Sequence, residues 1–512
     1  MIQKYPVGIQ DFSVIRSEEY LYVDKTEFIH QLVGRGKFYF LSRPRRFGKS
    51  LFLSTMEYLF QAKQELFSGL FIEDKWDWSK TNPVIKISFS NIGHKEKGLF
   101  AAINDSLDAI ARKYEIQLIE TINSGKFKEL IEKLAIKSGK VVILIDEYDK
   151  PIIDYLGTKN ENHEIDKALE NRDILKSFYS VLKDADAHLR MVFITGVSKF
   201  SKVSVFSDLN NLQDLTINRR FGSCCGISQA ELAFYFEKEL ENLDVQKIKT
   251  WYNGYSWDLN TKVYNPFSLL NFFWEGCQQY QNYWFETGTP TFLINLSKKQ
   301  ELFDFENVKI EATQLSVFDL ENLQLLPLMF QTGYLTLKNY DEENEVYTLD
   351  YPNKEVKQSY LAMLANSYIQ SPIDTGRVLA TQLREILDAG QVEKLQDLLN
   401  SLFKSIPYEI WQNENEHFFH AIIHLTFRLL GIYIESQVQT SDGRIDAIVQ
   451  NNKYIYAFEF KLRSGTAKKA LEQIKEKGYL LPYTHLGKIC IGVGIKFSKK
   501  SKKVESIIWE QF

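Results

Sequence analysis

The sequence predicts an α/β chain in three parts: a parallel sheet with helices on both faces, a mainly helical middle, and a smaller carboxyl-terminal α/β domain. Three observations carry this expectation. Continuous apolar runs at 37–42, 83–89, 140–145 and 190–196 are separated by helical periodicity, as strands covered on both faces require. From about residue 228 the spacing becomes helical and rich in aromatics. Between 443 and 462 two strand-like stretches meet at Asn451-Asn452, and a helical pattern follows at 470–479. At 512 residues the chain exceeds what one core serves, and the expected parts are 1–228, 229–404 and 405–512.

Composition narrows the class. Hydrophobic residues at 44% and charged residues at 25% are the balance of a soluble globular protein. The net charge of -4 supplies no global positive field, so any groove that draws nucleic acid must be local. Cys224, Cys225, Cys277 and Cys490 form no C-x-x-C pair, and no zinc-ribbon spacing exists among the eight histidines. A reducing, cytoplasmic setting is the expectation. No signal-peptide segment opens the chain and no stretch approaches the roughly 18 apolar residues of a membrane span, so no membrane partner is expected.

The first strand, 37–42, leads through "FLSRPRRFGKSL" into a helical pattern at 49–60. Strand, loop and helix are the context of the phosphate-binding pattern G-x-x-x-x-G-K-[ST], here with Arg43 in the first glycine's place. In that setting Gly48 lets the backbone close on phosphate, Lys49 reaches the terminal phosphates and Ser50 ligates magnesium, with Arg45, Arg46, Phe47 and Leu51 completing the cofactor-binding stretch. The plain alternative is a basic turn capping a helix. The third run ends in "IDEYDKP", which is a Walker B arrangement: Asp146 for the magnesium shell and Glu147 to orient the attacking water. Its plain alternative is a solvated acidic turn. Thr195, closing the fourth run, is a candidate sensor of the terminal phosphate, against ordinary strand propensity. Upstream, Asp24 and Glu27 stand at capping-box spacing and mark a helix start.

Together "YVDKTEFI", "FLSRPRRFGKSLF", "VVILIDEYDKPI" and "FITGVSKFSKVSVFSDLNNL" resemble the AAA-ATPase-like family of bacterial proteins over roughly the first 230 residues. The resemblance implies a P-loop NTPase sheet, ATP and magnesium, and it makes Arg43 the family's own loop variant. "WYNGYSWD", "VYNPFSLLNFF", "WFETGTP" and "FQTGYLTL" look like the same family's helical lid and following region, with turns at Asn253-Gly254 and a helix start at Pro266. The aromatic density suits a buried core better than base stacking. Arg219 and Arg220 are weak candidates for nucleotide contact. The stretch 382–406 is read as amphipathic helix broken near Gly390.

At the carboxyl-terminal end, a two-residue Asn451-Asn452 loop would set Gln450 against Lys453 and Asp446 against Ala457. Asp446, Glu459 and Lys461 then share one face, and Tyr454, Tyr456, Phe458 and Phe460 the other. Two acids beside a dry layer call for a cation, and a hard divalent ion between Asp446 and Glu459 answers, with Lys461 positioning water. A surface hairpin with a cross-strand salt bridge is the plain alternative. The pattern of D followed by E-x-K resembles the PD-(D/E)XK nuclease superfamily over about 405–510, although Ile445 replaces the usual proline. The resemblance implies a restriction-endonuclease-like fold, with Glu416, in competition with Glu414, and Gln473 as accessory residues. His417, His420 and His424 lie at helical spacing, but Ala421 stands where a zinc protease has glutamate, so partly buried helix histidines are the simpler account. The basic run Lys499, Lys500, Lys502, Lys503 reads as a solvated turn or as a contact to a phosphate backbone.

The expected activity is a magnesium-dependent ATPase joined to a metal-dependent nuclease-like domain, with manganese an alternative ion at the second site. Its partners are ATP and nucleic acid, DNA before RNA, and a homo-oligomer stays open. The rival expectation is an ATP-driven switch or scaffold whose nuclease-like domain cuts nothing.

Overall fold

The computed structural model describes residues 3–156, 161–199, 205–206, 209, 211–284, 291–300, 302, 305–315, 324–369, 375–405, 416–431, 435–441, 444–461, 464–498, 501 and 503–512. Glu414, Lys499, Lys500, Lys502 and most of the "WFETGTP" segment lie outside them, as do the side chains of Glu416, His417, His420 and Asp446. The chain forms two compact units, Met1–Leu293 with Phe305–Glu355, and Ile294–Asp304 with Val356–Phe512. The stretch expected as a separate middle part is thus shared between the two units.

The first unit is built on five parallel strands: β1 (Phe38–Ser42), β2 (Val84–Ser88), β3 (Val141–Asp146), β4 (Leu189–Gly196) and β5 (Gln213–Asp214), in the order β2-β3-β4-β1-β5. Every residue of β1 and β3 is buried, which accounts for their unbroken apolar sequence. Helices Lys49–Phe60, Leu99–Lys113, Asn123–Ser138 and Glu161–Asp184 supply the connections that parallel strands need. The helix after Asp24 runs Thr26–Val33 with Lys25 as its cap. No reciprocal capping box forms there, because Asp24 sits one residue too early and instead accepts from the Thr26 amide at 2.8 Å and the Phe71 amide at 2.7 Å.

Helices Gln229–Tyr235, Val245–Tyr252 and Pro266–Trp274 gather the aromatics into a core of Phe236, Tyr252, Tyr264, Phe272 and Phe273, all buried. Two short strands, β6 (Ile227–Ser228) and β7 (Val263–Tyr264), pair beside it. An antiparallel sheet of β8 (Val308–Glu311), β9 (Thr336–Asp341) and β10 (Val346–Asp350) completes the unit.

The second unit holds a mixed sheet in sequence order: β11 (Glu435–Ser441), β12 (Arg444–Gln450), β13 (Tyr454–Lys461), β14 (Ile489–Ser498) and β15 (Lys503–Gln511), with β13 and β14 parallel and the other neighbours antiparallel. The amphipathic stretch resolves into helices Thr375–Asp388 and Leu395–Ser405, broken where Gly390 takes a φ of 72°. Helix Glu416–Leu430 covers one face of β13, with Phe427 5.0 Å from Phe458 and 5.5 Å from Phe460. Helix Ala467–Glu476 covers the other, and it lies so close that a side chain at Gly494 would collide with the Ala467 carbonyl and reach within 2.7 Å of the Leu471 amide.

The hairpin register differs from the sequence expectation. Gln450 pairs with Ile455 and Asp446 with Glu459, not with Ala457. The cause is Asn451, whose amide donates to the Tyr454 carbonyl at 3.0 Å and whose side-chain oxygen accepts from the Lys453 amide at 3.0 Å and the Tyr454 amide at 2.6 Å, moving the two-residue loop on to Asn452-Lys453. The shift is two residues, so facing is preserved and the two acidic positions become direct cross-strand partners.

Candidate functional sites

The loop between β1 and the Lys49–Phe60 helix ends on Gly48, left-handed at φ 90° and without a side-chain cap, and the first amides of a helix have no partner within it. The other left-handed residue of the loop is Arg46, at φ 66°, not Arg43. Glycine is therefore not required at position 43, and the departure from the phosphate-loop pattern costs no backbone strain. Arg43 is fully buried. Its guanidinium donates to the carbonyls of Ser42 and Thr216 at 2.8 Å and of Phe221 at 3.0 Å, and lies 4.2 Å from the Trp257 ring centroid. The residue braces the loop from behind; it does not face its mouth.

Before that mouth is a cavity of about 440 Å³. Arg45, Arg46, Gly48, Lys49, Ser50, Leu51 and Glu147 line it, as do Asp149, Lys150 and the apolar Val7, Ile9, Pro266, Phe267 and Leu270. Phe47 turns away, packing at 4.7 Å on Tyr255 and 5.2 Å on Trp257. Lys49 donates to the Arg43 and Pro44 carbonyls, both at 2.9 Å. Burial lowers its ammonium pKa, while Asp146, Glu147 and Asp149 pull in the opposite direction. Asp146 stands just behind the cavity lining and accepts from the Thr195 hydroxyl at 2.7 Å. Thr195 is fully buried, so it orients an acid and does not itself reach the cavity. Glu147 is held left-handed at φ 52°, a backbone state that costs about 1 kcal/mol for a residue with a side chain and aims it into the cavity. Arg219 and Arg220 are exposed and do not line it.

Asp149 is the residue that sequence reading passed over. It is buried and accepts from the Val197 amide at 3.0 Å, the Ser198 amide at 2.6 Å and the Ser198 hydroxyl at 2.7 Å, fixing the chain just beyond β4. Burial pushes its carboxyl above the usual range despite those donors. Its signal was the second aspartate in "DEYD", three residues after Asp146.

A second anchor reaches the loop. The Trp284 indole donates to the Arg45 carbonyl at 3.2 Å, and the Trp284 and Tyr283 amides donate at 2.9 and 2.8 Å to Glu355, in the first turn of helix Lys354–Ile369. Ser268 adds a third donor at 3.0 Å. Burial raises the Glu355 carboxyl from 4.5 to about 7, and the titratable groups facing it are the phenols of Tyr252, Tyr255 and Tyr283. A raised folded value means that the contribution to stability is complete below the unfolded value and disappears as pH rises through about 7. Wild-type protein should lose on the order of 3 kcal/mol between pH 4.5 and 7.5 relative to Glu355→Gln, read by denaturant unfolding at stepped pH. Parallel pH profiles would contradict this.

In the second unit Glu459 is fully buried on β13, and the Lys461 ammonium donates to it at 2.7 Å and to the Gln473 side-chain oxygen at 2.5 Å. Gln473 comes from helix Ala467–Glu476, which Thr466 caps by accepting from the Lys469 amide at 3.2 Å. The register sets Asp446 opposite Glu459. Predicted residues Glu459, Lys461 and Gln473 thus meet, whereas the Asp446 and Glu416 side chains lie outside the described residues. Tyr454, Tyr456, Phe458 and Phe460 form a ladder on the opposite face, with successive ring centroids 5.7, 6.0 and 6.3 Å apart. Among the described residues no cluster of His, Cys, Asp and Glu is positioned to hold a metal, and His424 is buried in its helix. No described helix is long and apolar enough to cross a membrane.

Sheet, loop and cavity define a P-loop NTPase-type α/β domain, followed by a mainly helical region and a restriction-endonuclease-like α/β domain. The chain belongs to the AAA-ATPase-like family and carries a PD-(D/E)XK nuclease superfamily domain. The family described as predicted AAA-ATPase matches residues 6–206, and the PD-(D/E)XK nuclease superfamily matches 414–507. A relative from Azotobacter chroococcum mcd 1, described as an uncharacterized protein in the vnfD 5' region, is 40% identical over 520 residues, covering 99% of each chain. Botulinum neurotoxin type C of Clostridium botulinum C phage is 23% identical over 256 residues, covering 44% of this chain and 18% of that one. No solved structure matches.

Proposed function

We propose that the protein binds and hydrolyses ATP with magnesium in its first unit, and that its second unit is a metal-dependent nuclease acting on nucleic acid, DNA in preference to RNA. The observation that carries this is the cavity on which Lys49, Ser50 and Glu147 converge at a helix start. Lys49, Arg45 and Arg46 supply positive charge for phosphates, Glu147 holds the attacking water, and the apolar wall of Val7, Ile9 and Phe267 takes the base. Ser50 and Asp146 are hard oxygen donors suited to magnesium, which would neutralise phosphate charge. In the second unit Asp446 and Glu459 would hold magnesium or manganese, and Lys461 would orient water beside the phosphodiester. The proposed divisions of the sequence are 1–228, 229–404 and 405–512, the middle one contributing to both compact units, and the setting is cytoplasmic; a homo-oligomer is compatible with this reading.

Calorimetry with ATP and magnesium on the purified full chain tests the first site. Glu147→Gln should keep ATP affinity within about threefold and lower turnover at least about a hundredfold, the scale of a lost general base. Absence of binding heat in folded wild-type protein sinks the reading. For the second site, Asp446→Ala should abolish metal-dependent cleavage of DNA. If the wild type cuts neither DNA nor RNA with either ion, the switch or scaffold reading takes its place.

A further inference from the structure

Cys224 and Cys225 are adjacent, free and buried, at 1% and 3% exposure. With Lys25, Phe47, Gly48 and Phe52 they line a second cavity of about 80 Å³ that shares the phosphate loop as a wall. The turn that carries them is tied to that loop twice: Arg43 donates to the Phe221 carbonyl at 3.0 Å, and the Gly226 amide donates to the Phe47 carbonyl at 3.2 Å. Lys25 approaches from the amino-terminal side, donating to the Ser223 carbonyl at 2.9 Å and to Glu231 at 2.6 Å. The neighbouring Cys225 thiol, with Arg43 and Lys25 nearby, pulls the Cys224 thiol below its usual range, while Cys225 is pushed above it.

Two sulfurs and no third ligand do not make a tetrahedral zinc site, and no described cluster of ligating side chains completes one. They do suit a pyramidal trivalent ion that keeps one hydroxyl. We propose that Cys224 and Cys225 form a dithiol site for thiophilic trivalent ions, arsenite being the simplest, and that filling it opposes nucleotide binding at the neighbouring loop. As(OH)3 condenses with both thiols: two S–H and two As–O bonds break, two As–S bonds form, and each proton departs with a hydroxide as water. Arsenic remains trivalent, so no oxidant or reductant is required. The adduct fills space beside Gly48 and pulls on a turn tied to both Arg43 and Phe47, displacing the loop that must close on phosphate.

The coupling rests on the nucleotide reading above; the dithiol site does not. Full-length protein is treated with arsenite, and bound arsenic, free thiols and ATP affinity are measured. The expected result is one arsenic per chain, two of the four thiols lost, and ATP affinity lowered at least about tenfold, restored by a dithiol and not by a monothiol. In Cys225→Ser arsenic uptake and the effect on ATP should both vanish. Should that variant fail to fold, Cys277→Ser with Cys490→Ser leaves only the adjacent pair, and uptake must persist. Equal uptake in wild type and Cys225→Ser overturns the site, and a filled site with unchanged ATP affinity overturns the coupling. Uptake at the pair by a protein that binds no ATP untreated supports the site and refutes the nucleotide reading.

Discussion

Arg43→Gly, which restores the glycine usual at the start of a phosphate loop, should destabilise the first unit by about 3–5 kcal/mol and weaken nucleotide binding at least about tenfold. The guanidinium is fully buried and serves three carbonyls, Ser42, Thr216 and Phe221, each of which loses a charged donor on truncation. An unmet buried carbonyl costs about 1–3 kcal/mol, and the lost contact to Trp257 adds to this. Backbone relief cannot offset the loss, since position 43 has no positive φ to relieve. Arg43→Lys should fall between, because an ammonium cannot reproduce the planar fork. Thermal melting with ATP titration reads both effects; an Arg43→Gly variant as stable as wild type would show that the brace is dispensable.

The second large effect is expected at Lys461. Lys461→Met removes the ammonium beside a fully buried carboxylate, and breaking such a pair costs about 3–5 kcal/mol because the remaining charge stays desolvated. Glu459→Gln removes charge and keeps shape, so the double variant should regain most of the stability lost by Lys461→Met, a coupling of about 2 kcal/mol or more. Cleavage should be absent from all three proteins. The contrast separates a structural pair from a reacting one: stability returns in the double variant and activity does not. Additive stability losses would mean that the two groups do not depend on each other.

Much of this architecture was legible because burial on both faces leaves a plain trace. The runs at 83–89, 140–145 and 190–196 have few polar residues since parallel strands under helices tolerate few. The clustering of Glu459 and Lys461 on one face was legible for a related reason, alternation being independent of register to within an even shift. What stayed hidden depends on contacts distant in sequence. Nothing in "SRPRRFGKS" says which of three arginines points inward, since Thr216, Phe221 and Trp257 decide it. Glu355 sits in an unremarkable helix start, and its environment is made by Ser268, Tyr283 and Trp284, over 70 residues away. The hairpin turn was misjudged because Asn451 closes it against Tyr454 with both its amide and its side-chain oxygen, which moves the loop one residue along and which pattern counting cannot see.

The register set at Asn451 has a consequence for length changes in that hairpin. Removing two residues between Gln450 and Ile455 would slide one strand along the other and leave Asp446 on the same side of the sheet as Glu459. Removing one would send Asp446 into the aromatic ladder and the chemistry with it. Descendants of this chain should therefore tolerate even insertions and deletions there and reject odd ones.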